Sequence, residues 1–187
     1  MKEIARMENL AKRNTLTKGQ VESKSKCIEE RLAALPEFNN AKTVMLYYGI
    51  NHEVETKGLI ERALKAGKRV ALPATNFEKK AMVPMEISSL EELHKTNKGL
   101  FEPKTQRPVM TSELDLVIVP GVAFDKTGGR LGRGKGFYDS LLRKTSTKVP
   151  LIGLCFEENL EKNIQCESHD VKMDIVVTDE QVIRCKE

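Results

Sequence analysis

Apolar positions along this chain follow two rhythms, and their alternation predicts the architecture. In residues 1–13, Ile4, Met7 and Leu10 recur at helical spacing among charged helix formers, which predicts an N-terminal helix. Thr17 is a suitable N-cap for a second helix over 17–34, ended by Pro36. Residues 43–48 are rich in β-branched and aromatic residues and read as a strand. A loop over 51–55 leads to Thr56, which can cap a helix that runs through Leu64 and stops at Gly67. Strands over 69–72 and 81–85 follow, the first ending at Pro73, and Ser89 with Glu92 forms a capping box for a short helix. Residues 97–112 have the composition of a loop. The unbroken apolar runs at 114–119 and 149–155 suit strands covered on both faces. Residues 137–143 read as a helix and 174–177 as a last short strand.

Strands alternating with helices predict a mainly parallel sheet with helices on both faces. No repeat, low-complexity tract or linker interrupts the pattern. The expected fold class is therefore α/β, a single three-layer domain over residues 1–187.

Composition narrows the function classes. With 40% apolar residues the chain can bury a core without metals or cross-links. The formal charge of +4 favours anionic ligands, but the basic residues form no block and aromatic residues make up only 5%. That argues against a nucleic-acid partner. Cys27, Cys155, Cys166 and Cys185 have no CxxC spacing and read as reduced thiols. The charged N-terminus lacks a signal core, and no apolar stretch is long enough to cross a membrane. A cytoplasmic protein without membrane contact or an obligatory protein partner is expected.

The chemistry is concentrated in residues 119–142. Gly128, Gly129, Gly132, Gly134 and Gly136 are interleaved with Arg130, Arg133 and Lys135, between a buried strand and a helix. Glycines let backbone N–H groups close on an anion, and the cations neutralise phosphate. The helix start adds a positive dipole end. The bland alternative is a basic surface turn. Neither standard loop fits: Gly129 to Lys135 satisfies GxxxxGK, but Gly136 stands where a Walker loop needs Ser or Thr. Gly132, Gly134 and Gly136 miss the dinucleotide fingerprint by one place. Asp139, one helical turn past Gly136, suits either of two jobs, holding Mg2+ on phosphates or complementing the helix dipole.

With those residues in view, the chain resembles the 5-formyltetrahydrofolate cyclo-ligase (5,10-methenyltetrahydrofolate synthetase) family. Pro120, Gly121, Phe124, Asp125, Gly128, Arg130, Leu131, Gly132, Gly134, Gly136, Phe137, Tyr138 and Asp139 fall without gaps on its signature. Lys2 and Arg6 match a Lys-x-x-x-Arg pair, residues 48–56 a folate-contacting loop, and residues 169–174 a His-Asp-x-x-x-Asp stretch. Phe137 stands where many members have Tyr.

The resemblance implies ATP- and Mg2+-dependent conversion of 5-formyltetrahydrofolate to 5,10-methenyltetrahydrofolate, with release of ADP and phosphate. It implies ATP contacts from Lys2, Arg6, Arg130, Leu131, Gly132, Arg133, Gly134, Lys135, Gly136, Phe137 and Tyr138. Folate contacts are implied for Ile50, Glu55, Arg133, Lys135, Phe137 and Tyr138, and metal ligation for Asp139 and Asp170. Arg130, Arg133 and Lys135 are the implied catalytic cations, with no covalent nucleophile on the protein. Read alone, Lys2 and Arg6 would be a solvated helix face, Ile50 core, and His169 with Asp170 a polar loop. Another small-molecule kinase or ATPase with an atypical loop is the alternative enzyme, and a non-enzymatic nucleotide or RNA binder the alternative of another class.

Overall fold

The computed structural model describes residues 2–185, so the first residue of the expected N-terminal helix lies outside the described residues. Five helices are present among them: α1 (Lys2–Asn14), α2 (Lys18–Ala33), α3 (Pro36–Asn40), α4 (Lys57–Lys65) and α5 (Phe137–Leu142). The central sheet contains β1 (Thr43–Met45), β2 (Arg69–Asn76), β3 (Ala81–Ile87), β6 (Leu116–Pro120), β9 (Leu151–Leu154), β11 (Ile175–Val177) and β12 (Val182–Arg184). Its order is β12-β11-β9-β6-β1-β2-β3. The five inner strands are parallel, and β12 and β3 close the edges antiparallel. A small sheet of β10 (Leu160–Glu161), β7 (Ala123–Asp125) and β8 (Arg130–Leu131) stands apart, as does the hairpin β4 (Leu93–Lys95) and β5 (Phe101–Pro103). Among the described residues no helix is long and apolar enough to cross a membrane.

Alternation along the strands divides the core. Val44, Val70, Leu72, Leu116, Ile118 and Ile152 face α2 and α4, whose Ile28, Leu32, Leu59 and Ile60 cover them. Met45, Ala71, Val117, Val119 and Val176 point to the other face, against Leu141 and Leu142 of α5. Burying each large aliphatic side chain contributes roughly 1.5–3 kcal/mol, so both helix layers are held by the sheet. The expected three-layer α/β architecture is present.

Local departures have physical causes. Thr17 caps α2 in a full capping box with Gln20, as expected, but Pro36 starts α3 where its missing N–H costs nothing. Thr56 precedes α4 without capping it, because its hydroxyl donates to the Tyr47 carbonyl and accepts from Gly49 N–H. Strand β2 runs past Pro73, since Pro73 and Pro84 face each other on one rung and neither has an N–H to offer. The stretch taken for loop at 97–112 contains β5.

The expected N-terminal helix is present as α1, but its apolar residues do not seat it: Ile4 and Met7 are 61% and 67% exposed, whereas Asn9 and Arg13 are buried. The helix seats itself with polar groups. Asn9 donates to Glu161, Asn159 donates to Asn9, and Lys12 pairs with Glu161 at 2.8 Å. Since β10 pairs with β7, these bonds fasten α1 to the small sheet that begins the glycine-rich loop.

Candidate functional site

The chain leaves β1 on one side to form β2 and returns on the other as β6, so the connections diverge between β1 and β6. Crevices at such switch points, beyond the carboxyl ends of parallel strands, are where open α/β sheets bind ligands. A cleft of about 460 Å³ lies there. Its lining includes Lys2 and Arg6 of α1, Arg130 to Asp139, and Glu167, His169 and Asp170. Tyr48, Ile50, Phe77, Met82, Leu100 and Phe101 add apolar and aromatic side chains to the same lining.

The glycine-rich loop is held from below by Asp125. This fully buried carboxylate accepts from Thr127 N, Thr127 Oγ1 and Gly129 N through Oδ1, and from Ile164 N through Oδ2. Burial pushes its pKa up, and these donors more than offset that, holding the carboxyl below its usual range. Gly128 is required twice over: its φ is +84°, and a Cβ would lie 2.3 Å from the Met173 carbonyl. Gly134 also has positive φ, +86°, and passes against the Arg6 guanidinium, whose Nε donates to Gly132 O at 2.8 Å.

The cleft's cations fall into two groups. Arg130 pairs with Asp139 at 2.8 Å, Lys2 with Asp170 at 2.8 Å, and Arg133 with Glu53 at 2.6 Å. Lys2 is raised in pKa by Asp170 and then Glu167. Burial works against the Asp170 carboxylate, but the Glu167 N–H and Lys2 hold it below its ordinary value. Arg6, Lys98 and Lys135 have no ion-pair partner among the described residues. The Lys135 ammonium instead lies 5.1 Å from the centre of the Phe77 ring, which stacks edge-on against Phe137 at 5.2 Å. Cations without a carboxylate partner around a bent loop favour an entering anion. α5 is only six residues long, so its dipole is a minor contributor beside these full charges.

Tyr138 presents a buried hydroxyl without a hydrogen-bond partner, and burial raises its pKa. Arg130 likewise keeps a buried, unpartnered Nε. Buried polar atoms of this kind are normally satisfied, and both residues line the cleft.

Of the residues singled out in the sequence, Lys2, Arg6, Ile50, Arg130 to Tyr138, Asp139 and Asp170 all line this one cleft. Glu55 does not. It is exposed, and its N–H donates to Ser25. Glu53 faces the cleft instead, because Asn51 and His52 both adopt positive φ, at 50° and 58°, and turn the chain. The Glu53 carboxylate then accepts from Ile50 N. Phe77, Lys98 and Phe101 were also missed, having only turn or loop composition to mark them.

Asp139 and Asp170 offer hard oxygen donors suited to Mg2+. Asp139 Oδ1 receives only a long 3.4 Å bond from Val171 N. No group of three or more metal-ligating side chains occurs among the described residues. An ion here would therefore take its other ligands from water and phosphate, the usual habit of Mg2+.

Fold and cleft together define an α/β protein in which one crevice holds a glycine-rich basic loop and a set of aromatic side chains. Comparison with known proteins names the group. The profile of the 5-formyltetrahydrofolate cyclo-ligase family matches residues 1–179. The chain is 35% identical over 179 residues to a probable 5-formyltetrahydrofolate cyclo-ligase of Schizosaccharomyces pombe, covering 88% of each. It is 33% identical over 175 residues to the 5-formyltetrahydrofolate cyclo-ligase of Escherichia coli, covering 91% of this chain and 96% of that one. The NMR structure of Aquifex aeolicus 5,10-methenyltetrahydrofolate synthetase superposes with a TM-score of 0.88 at 32% identity, covering 100% of this chain and 93% of that one. The chain belongs to the 5-formyltetrahydrofolate cyclo-ligase family.

Proposed function

We propose that this enzyme converts 5-formyltetrahydrofolate to 5,10-methenyltetrahydrofolate at the expense of ATP, with the triphosphate on the glycine-rich loop and the pterin against the aromatic side chains. The observation that carries this is the presence of unneutralised Arg6 and Lys135 beside the loop in one cleft with Ile50, Phe101 and Tyr48.

The chemistry accounts for the need for charge. A formyl oxygen is a poor leaving group, so ring closure needs it activated. The γ-phosphoryl group passes to that oxygen and ADP leaves; N10 attacks the formyl carbon, loses its proton, and the C–O bond breaks to release phosphate. Such transfer is mainly positioning and charge stabilisation. Lys135, Arg133 and Arg130 would meet the charge on the transferring oxygens, while Arg6 and Lys2 hold the nucleotide from α1. Asp139 and Asp170 would hold Mg2+, which supplies charge to the phosphate oxygens when bound. The Tyr138 hydroxyl is free to donate to a ligand oxygen, the part Phe137 cannot play. Glu53 takes the folate-side carboxylate role expected of Glu55. No protein nucleophile is required. All four cysteines are free, which suits the cytoplasm as the site of reaction.

The test is spectrophotometric: the methenyl product, read by its near-ultraviolet absorbance, should appear only with ATP, Mg2+ and 5-formyltetrahydrofolate together. Folded protein that gives no product under those conditions removes the proposal.

A further inference from the structure

Behind the cleft lies a second, much smaller cavity of about 10 Å³. Glu53, Tyr47 and Gly121 line both spaces, so Glu53 stands in the wall between them. On the cleft side its Oε1 holds Arg133. On the inner side is Arg13, the last inward-facing residue of the stripe Lys2, Arg6, Asn9 and Arg13 on α1.

Arg13 is an anomaly in its own right. It is 4% exposed, its Nε is buried without a hydrogen-bond partner, and no carboxylate is in ion-pair contact with it among the described residues. A guanidinium stays charged in proteins, and a buried charge without compensation is strongly unfavourable. Of the groups that face it, Glu53 and Tyr47 favour its charge and Arg133 opposes it, while burial weakens it most. The shared cavity puts Glu53 within reach as its counter-ion.

We propose that Arg13 is a positioning residue, a reserve counter-ion for Glu53 that lets Arg133 leave Glu53 for a phosphate oxygen without stranding the carboxylate. Without ligand, Glu53 is anchored by Arg133 and by Ile50 N–H, with Arg13 behind it. When an anion draws Arg133 into the cleft, Glu53 settles toward Arg13. The exchange keeps every charge compensated in both states and links the far end of α1 to the loop that the near end already touches through Arg6.

This inference rests on the proposed nucleotide site, so the two are tested by different readouts. Turnover of 5-formyltetrahydrofolate by the wild-type enzyme tests the site's assignment. Binding of the non-hydrolysable ATP analogue AMP-PNP with Mg2+, by titration calorimetry, tests the exchange. Arg13→Met should weaken AMP-PNP binding about tenfold, because Glu53 then keeps Arg133. In a Glu53→Gln background the same substitution should change affinity less than twofold, since there is no carboxylate left to strand. Arg13→Lys should bind within about threefold of wild type. If Arg13→Met does not fold, Arg13→Lys with and without Glu53→Gln reads the same coupling. An equal loss in both backgrounds would mean that Arg13 merely seats α1, and would overturn the proposal. So would wild-type protein that does not bind the analogue.

Discussion

Replacing Asp125 by Asn is the sharpest test of how the loop is held, because it changes one atom of a fully buried group. The carboxylate accepts four hydrogen bonds, three on Oδ1 and one, from Ile164 N at 2.6 Å, on Oδ2. In the better of its two orientations the amide keeps its oxygen at Oδ1 and turns its NH2 toward Ile164 N–H. That strands a buried donor, at a cost of about 1–3 kcal/mol. The three remaining bonds lose their charge assistance, which brings the expected total to about 2–4 kcal/mol. For a domain of this size 1 kcal/mol corresponds to about 2–4 °C, so Tm should fall by roughly 6–12 °C for a loss near 3 kcal/mol. Urea unfolding should show a lower midpoint at constant m-value. A loss below about 1 kcal/mol would mean that the loop does not depend on this carboxylate, and the account of its rigidity would be wrong.

Lys135→Ala should leave Tm within about 1–2 °C of wild type, because the ammonium touches only the Phe77 ring, yet lower turnover by about 10²–10³; near-normal rates would reject its charge-stabilising role. Glu53→Gln should raise the KM for 5-formyltetrahydrofolate severalfold while Glu55→Gln stays near wild type, and the reverse order would favour the sequence-based assignment over the geometry. Asp170 has a depressed pKa in the fold, so its contribution is present above the unfolded value near ~3.9 and is lost as pH falls through the lower folded value. Lys2 has a raised one, so its share is present below ~10.4 and lost as pH rises through the higher folded value. The protection factors of the amides beyond the first turn of α1, each referred to the intrinsic exchange rate at that pH, should therefore stay constant between those limits and fall outside them; a fall at neutral pH would contradict the tether. Gly128→Ala should unfold or severely destabilise the protein, by about 3 kcal/mol or more, since positive φ and the Met173 carbonyl both resist a Cβ; a well-folded variant would refute that.

Much of this was legible in the residues. The apolar runs at 114–119 and 149–155 announced buried parallel strands, and the five glycines with three cations announced the loop. What was hidden has a physical explanation. The inward stripe of α1 is polar, so the spacing of Ile4 and Met7 marks a helix but not the face that it buries. In the loop after β1, two successive left-handed residues turned Glu53 into the cleft, and no period or propensity reveals a turn of that sort two residues from Glu55. Phe77 and Lys98 sit at hairpin tips, where sequence signals a turn but not what the turn reaches. The pairing of β2 beyond Pro73 depended on a second proline eleven residues later.

The partnering of Arg130 with Asp139 and Lys2 with Asp170 has a consequence for the order in which ligands settle. On the proposed reading, a divalent ion arriving alone finds both carboxylates already claimed by neighbouring side chains. One escorted by a triphosphate finds them vacated, because the guanidinium and ammonium have turned to the phosphates. Each guest thus raises the affinity for the other by the same factor, and the resting protein ignores the free Mg2+ around it until nucleotide comes.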